Sequence, residues 1–320
     1  MMKKEQDLEV LWQRLINIKT VLMVFLILSC YSCSSDAKTS NMDEVQEEVI
    51  QDDDDGAIEE VGESFNLPKI DLSNWKVTLP IAVNGKPIEV EPPEILNYAT
   101  NEVLRPFMYN DSINGALVFY TYPGATTTNS SYSRTELREQ MNPGSNSTNW
   151  TFGQGGTMKG TFSLDEISKD KDGDYHRTMV MQIHGRLTND QRDLIGENDN
   201  NAPPMLKIYW QDGYIRAVTK ALKDLDASDT EILHADAWKD GESYTFSDKV
   251  DLEKFTIEIE ASEGKMEVIL NESVSKTFEG VHIEKWGVFE NYFKAGNYLQ
   301  TTDEGAFARV KLYELKVEHK

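Results

Sequence analysis

Three short stretches of the chain place chemically capable side chains at the two-residue spacing of a β-strand. In Arg134-Thr135-Glu136-Leu137-Arg138-Glu139 the even positions set two guanidiniums around a carboxylate on one face, while Thr135 and Leu137 take the other. A guanidinium fork matches a carboxylate ligand bidentately, so the row reads as a preorganised anion site in which Glu136 holds the arginines and limits their repulsion. A surface ion-pair ladder has the same pattern. In Met179 to Gly185, Gln182 and His184 share one face, and Met181 and Ile183 share the opposite, buried one. Histidine is the natural base near neutral pH and a neutral amide beside it can hydrogen-bond a carboxyl group, although a single strand histidine is more often structural. In Tyr292 to Gln300 the even positions give Tyr292, Lys294, Gly296, Tyr298 and Gln300, a polar row with a glycine at its centre. Glycine there permits close approach of a ligand or a local bulge; the alternative is an edge strand with an amphipathic tyrosine pair.

In this order, Arg-Thr-Glu-Leu-Arg, Gln-Ile-His and Tyr-Phe-Lys-Ala-Gly-Asn-Tyr-Leu-Gln resemble the three signature blocks of polysaccharide lyase family 7, the alginate lyases, and the related family 18 shares much of the pattern. Phe65-Asn66-Leu67 and the run Leu72 to Pro80 resemble the start of that family's catalytic domain, so the likeness spans residues 65–320. It implies a β-jelly roll of two antiparallel sheets whose concave sheet forms a groove for alginate, with no cofactor and no metal. By similarity Arg134, Gln182, His184 and Tyr298 fall on catalytic positions, and Arg138, Lys294 and Gln300 on positions that bind substrate; Glu136 and Tyr292 complete the expected binding set. Leu299 departs from the asparagine more often found there, which bears on one subsite contact. Ile183 between Gln182 and His184 goes with activity on guluronate or mixed blocks. An open groove implies endolytic cleavage, and residues 197–204 read as an insertion able to close one end.

The implied reaction takes the C5 proton of a uronate and expels the C4 glycosidic oxygen, leaving an unsaturated sugar. Removing that proton builds charge beside an existing carboxylate, so neutralising the carboxylate is the central task. Arg134 and Gln182 are expected to do this as fixed donors, each worth about 3–4 kcal/mol in comparable sites. Tyr298 is expected to protonate the leaving oxygen, with His184 as base for guluronate and Tyr298 as both base and acid for mannuronate.

These residues need a scaffold of strands. From Phe65 onward, short β-type runs alternate with Gly, Pro, Asn and Asp. Twelve are legible: Trp75 to Leu79, Ala116 to Tyr122, Ser133 to Glu139, Thr157 to Leu164, Thr178 to His184, Met205 to Trp210, Tyr214 to Thr219, Ser243 to Val250, Phe255 to Ala261, Lys265 to Leu270, Val288 to Phe293 and Phe307 to Glu318. Such a series predicts an antiparallel sandwich or jelly roll. Helix is expected only near Pro93 to Tyr98. Asp170-Lys171-Asp172-Gly173-Asp174 has the look of a calcium loop but lacks the glutamate that closes an EF-hand, and reads as a turn.

Charge and cysteine content bound the rest. The formal net charge is −23, and residues 36–63 carry twelve carboxylates against one lysine with no aromatic residue. Such a segment cannot bury enough surface to offset its ordering entropy and reads as a disordered tether. An acidic domain argues against nucleic-acid partners, whose binding is driven by a basic face. The apolar run Val21 to Leu28 follows basic residues and is too short to span a bilayer, as in a signal peptide. Cys30 and Cys33, the only cysteines, follow it, and either one resembles a bacterial lipoprotein processing site. The expected organisation is a lipoprotein signal peptide over 1–35, a tether over 36–63 and a catalytic domain over 64–320. The protein would be a secreted monomer, lipid-anchored to a bacterial membrane. A non-catalytic carbohydrate-binding module is the alternative, but it would not need His184 and Tyr298 beside an anion clamp. A glycoside hydrolase would need two opposed carboxylic acids, and only Glu136 stands out.

Overall fold

In the computed structural model, which describes residues 67–320, the alternation read along Phe255 to Ala261 becomes a half-buried strand. Phe255, Ile257, Ile259 and Ala261 are buried, while Thr256, Glu258 and Glu260 turn outward. In chain order the strands are β1 (Lys69–Ile70), β2 (Trp75–Val83), β3 (Lys86–Val90), β4 (Met108–Asp111), β5 (Ala116–Thr121), β6 (Arg134–Glu139), β7 (Trp150–Thr151), β8 (Gly156–Ile167) and β9 (Thr178–Arg186). They continue as β10 (Asn201–Gln211), β11 (Tyr214–Leu222), β12 (Trp238–Lys249), β13 (Phe255–Ser262), β14 (Lys265–Leu270), β15 (Val274–Glu279), β16 (Glu290–Leu299) and β17 (Ala308–His319).

Two sheets form a β-jelly roll sandwich. One runs β15-β14-β13-β8-β17-β5-β4, with β1 added in parallel to β17; the other runs β12-β11-β10-β9-β16-β6-β2-β3, with β7 added to β16. All twelve expected strands are present. The five unforeseen ones, β1, β3, β4, β7 and β15, are either two residues long or lie at sheet ends. An end strand has one neighbour and more solvent, so its apolar signal is weak.

Helical structure is sparse. The stretch expected near Pro93 to Tyr98 contains a 3-10 turn, Glu94–Asn97. A seven-residue helix, Asn189–Ile195, was not foreseen, although Thr188 and Gln191 form a capping box and Gly196 closes it in the left-handed region. The expected insertion at 197–204 needs correcting: from Asn201 onward it is strand β10, paired with β9 through Asn201 and Arg186 and through Pro204 and His184. Residues 170–174 form a tight turn closed by the Asp170 N–H donating to the Asp174 carbonyl. The expected signal peptide, tether and both cysteines lie outside the described residues.

The core between the sheets is filled by Trp150, Trp210, Trp286, Phe119, Phe162 and Phe293, among others. Polar side chains also cross it, among them Thr121, Thr135, the Glu139–His319 pair and Asn297. Asn297 on β16 is fully buried and its amide donates to the carbonyls of Phe119 on β5 (3.0 Å) and Ala308 on β17 (2.8 Å), while its oxygen accepts from Thr178 Oγ1 on β9 (2.8 Å). This amide joins the two sheets directly behind Tyr298. Replacing it with an apolar isostere strands three buried polar groups, each costing about 1–3 kcal/mol. Asn297→Leu is therefore expected to lower the unfolding free energy by about 3 kcal/mol or more in urea titration; a loss below about 1 kcal/mol would show that the bridge is dispensable.

Candidate active site

Register decides which side chains meet. β6, β16 and β9 are consecutive neighbours, with Lys294 opposite Arg138 on one side and Gln182 on the other, Gly296 opposite Glu136, Tyr298 opposite Arg134, and Tyr292 opposite His184. The three stretches singled out in the sequence thus share the outer face of the nine-stranded sheet. A bulge shifts the register between Ala295 and Tyr298, and by it Met179 faces outward beside Tyr298 while Val180 joins the main core with Met181. Strict alternation along β9 would have put Met179 on the core side with Met181.

Glu136 is the centre of the arrangement and is fully buried. Its carboxylate accepts from Gln182 Nε2 at 2.5 Å, pairs with Lys294, and lies 3.4 Å from Arg134 Nη1. Glu136 and Gln182 stand on strands separated by β16, and the carboxylate can cross because Gly296, opposite it, has no side chain. Gly296 also has φ +138°, and a Cβ there would lie 2.8 Å from the Thr135 carbonyl oxygen, so only glycine fits. The expectation that Glu136 contacts substrate is corrected by its burial: it holds three donors in place from below.

Around it the cations are stiffened. Arg134 stacks on the Tyr298 ring at 3.9 Å. Arg138 stacks on Tyr292 at 4.0 Å and donates to the Glu139 and Asn146 carbonyls and to Asn149. Gln182 spends one amide hydrogen on Glu136.

His184 stacks on Tyr292 with ring centres 5.0 Å apart. Its Nδ1 lies 2.9 Å from the Gly185 carbonyl, which can only accept, so this nitrogen carries the proton and Nε2 presents a lone pair. The Tyr292 hydroxyl is 3.0 Å from the same Nδ1. Burial, then the nearby positive charges of Lys294, Arg134 and Arg138, push the imidazole down to about 3. The Tyr298 phenol is pushed up by burial, which outweighs the Arg134 charge and the Ser130 hydrogen bond, and so it keeps its proton. Burial brings the Lys294 ammonium down to about 8, against the pull of Glu136.

Arg134, Arg138, His184, Tyr292 and Lys294 line a cleft of about 520 Å³. Gln182, Tyr298 and Gln300 are not among its lining residues: Gln182 is buried against Glu136, Tyr298 is half-buried beneath the Arg134 guanidinium, and Gln300 follows the end of β16 and turns its amide back onto the Tyr298 carbonyl. The cleft also holds residues that the sequence reading passed over. Arg186 follows Gln182 and His184 at the same spacing on β9 and is fixed by Glu290 at 2.6 Å. Lys76 and Thr78 occupy the even positions of β2, whose odd positions Trp75, Val77 and Leu79 are buried; both meet Glu89. Alternation along both strands could have revealed them. Asn129 and Asp199 come from two loops, joined by a 3.4 Å hydrogen bond, and no strand periodicity marks them. Among the described residues, no group of three or more His, Cys, Asp or Glu side chains is placed to hold a metal ion.

A β-jelly roll with anion-binding groups, a neutral imidazole and a phenol on one face fits the class of polysaccharide lyases, and comparison with known proteins establishes it. The family model described as alginate lyase matches residues 70–319, and the chain belongs to that family. No curated protein sequence matches it. Among solved structures, family 7 alginate lyase A1-II′ in complex with substrate (GGMG) is 28% identical, with a TM-score of 0.62 over 78% of this chain and 94% of that one. A 1.0 Å crystal structure of A1-II′ matches at 29% identity and TM-score 0.61, over 78% and 96% of the two chains. Alginate lyase PA1167 from Pseudomonas aeruginosa, 22% identical with a TM-score of 0.57 over 78% and 100%, shares the fold.

The shifted groups give a pH profile. His184 is lowered, so its basic form is present above about 3. Lys294 is lowered too, so its charge is present below about 8 and lost above it. The value of kcat/KM is therefore expected to stay level across the ordinary histidine range and to fall as pH rises through about 8, with Lys294→Arg moving that fall upward. A fall on acidification centred at the ordinary histidine value of about 6.5 would contradict the assignment.

Proposed function

We propose that this alginate lyase binds a uronate carboxylate against Arg134, Gln182 and Lys294 and eliminates across C4–C5 with His184 and Tyr298. What carries this reading is a neutral imidazole, with its Nε2 lone pair free, set on the same sheet face as a protonated phenol and among cations organised by Glu136. The cations and the amide stabilise the charge that develops on the substrate carboxylate as the C5 proton leaves. Fixed donors do this without reorganising at the moment of reaction. His184 Nε2 takes the C5 proton of guluronate, the C4–O4 bond breaks as the C4=C5 double bond forms, and Tyr298 gives its proton to O4. For mannuronate, whose C5 proton lies on the side of the leaving oxygen, Tyr298 first gives its own proton to water, then takes the C5 proton as a phenolate beside Arg134 and passes that proton to O4.

The substrate class follows the relatives, one of which was crystallised with an alginate oligosaccharide. A lean to guluronate or mixed blocks rests on Ile183 between Gln182 and His184, and endolytic cleavage on the open cleft. Arg138 and Tyr292 act as substrate-binding residues. Export, lipidation at Cys30 or Cys33, and display of a monomer from a bacterial membrane through residues 36–63 are supported by the sequence pattern alone.

Unsaturated uronate products absorb in the ultraviolet, so the rate can be followed directly on separate polyguluronate and polymannuronate. Tyr298→Phe is expected to abolish activity on both polymers. His184→Ala is expected to cost about a hundredfold or more on polyguluronate and much less on polymannuronate. Half the wild-type rate in Tyr298→Phe would remove Tyr298 from the mechanism, and equal losses on both polymers in His184→Ala would remove the division of labour.

A further inference from the structure

Tyr298 reaches one hydroxyl that the mechanism above does not use. Ser130, in the loop between β5 and β6, places its Oγ 2.6 Å from the Tyr298 phenol oxygen. Each of these oxygens carries one proton, and a second contact decides where they go. Ser130 Oγ is also 2.8 Å from the Tyr132 carbonyl, which can only accept. The serine proton is therefore committed to Tyr132, and the bond to Tyr298 uses the phenol's proton. The Tyr132 N–H, 3.4 Å away, approaches Ser130 Oγ as a further donor. In the resting site the phenol proton points at Ser130, and the ring is held on its face by Arg134 at 3.9 Å.

We propose that Ser130 is a positioning residue for the lyase reaction, a hydroxyl that accepts from Tyr298 before proton transfer and donates to it afterwards. The inference rests on the reading of Tyr298 as acid. With substrate bound, the phenol O–H turns from Ser130 to O4, and when its proton passes across, Tyr298 becomes a phenolate in a site where burial opposes the charge. A single rotation about the Ser130 Cβ–Oγ bond turns the serine proton from the Tyr132 carbonyl to the phenolate oxygen. No proton leaves Ser130: the C5 proton is on His184, the phenol proton is on O4, and the phenolate is later reprotonated from water. The serine supplies a hydrogen bond to a charge that exists only after the transfer begins, so its effect falls on the chemical step. Arg134 alone cannot replace it, because a guanidinium stacked on the ring directs no N–H at the phenol oxygen.

Hydrogen bonds to charged groups contribute about 1.5–3 kcal/mol, and the lower figure corresponds to about tenfold in rate. Ser130→Ala is therefore expected to lower kcat about tenfold while KM for the polymer changes less than about twofold. Ser130→Thr, which keeps the hydroxyl, is expected to restore kcat to within about twofold, whereas Ser130→Val is not. Thermal melting of each variant identifies a folding defect, and the threonine variant keeps the inference testable if alanine disturbs the loop. An unchanged kcat in Ser130→Ala, a loss confined to KM, or a stable threonine variant as slow as alanine would overturn the proposal. Tyr298→Phe, measured alongside, separates the two ideas. If it is inactive and Ser130→Ala is normal, only the serine inference fails; if it stays active, the reading of Tyr298 fails and takes the serine with it.

Discussion

A carboxylate sealed beneath an anion-binding surface looks at first like a contradiction, yet the site depends on it. Glu136 has no exposure to solvent, and an unpaired charge there would be costly. It is matched instead by Lys294, Gln182 and Arg134, which come from three strands. Each would be mobile or displaced by its neighbours if left alone in a row of positive groups. With Glu136 between them, they are fixed at the spacing of the sheet, and a ligand carboxylate meets donors that are already ordered. The attraction is strong because the site is dry, and the same dryness acts on the titrating groups nearby.

Those groups respond in opposite chemical directions to one cause. Loss of water disfavours every charged form, so the imidazole is held neutral and the phenol protonated. The cations add to the first effect and oppose the second. A neutral imidazole and a protonated phenol thus coexist on one face across a wide pH range, without the two opposed carboxyl groups that glycoside hydrolysis uses. Lys294 is the exception, since burial weakens the charge that the site needs, and Glu136 only partly offsets this.

The scaffold keeps that face narrow and registered. Gly296 leaves the gap through which Glu136 reaches Gln182, and Asn297, next along the strand, ties β16 to both β5 and β17 of the opposite sheet. Tyr298 follows immediately, so its phenol is placed by a glycine that cannot be enlarged and an amide bonded to the opposite sheet. The bulge there also turns Met179 outward, where it packs with Tyr209, Val218 and Tyr298 in a small cluster apart from the main core. The phenol is therefore held by apolar contact with this cluster and by the Arg134 guanidinium over its ring.

The sequence by itself determined the strands with two neighbours, together with the end strand β12, and most of the faces of their side chains, because period-two alternation is local chemistry: Phe255 to Ala261 and the rows of β6, β9 and β16 were all legible. Its family blocks also indicated the enzyme class. It did not determine the end strands β3, β4 and β15, whose apolar signal is diluted by solvent, nor the first residues of β10, Asn201 to Pro204, hidden by two prolines. Continued alternation could have added Arg186, Lys76 and Thr78, but nothing local announces Ser130, which matters only because a loop brings it to Tyr298. Tertiary structure alone decided that Glu136 lies under the floor while its neighbours Arg134 and Arg138 reach the cleft, and that Gln300 turns away. The physical reason is that alternation fixes a side of the sheet, whereas depth and partners depend on what stands on the next strand, above all on the missing side chain of Gly296.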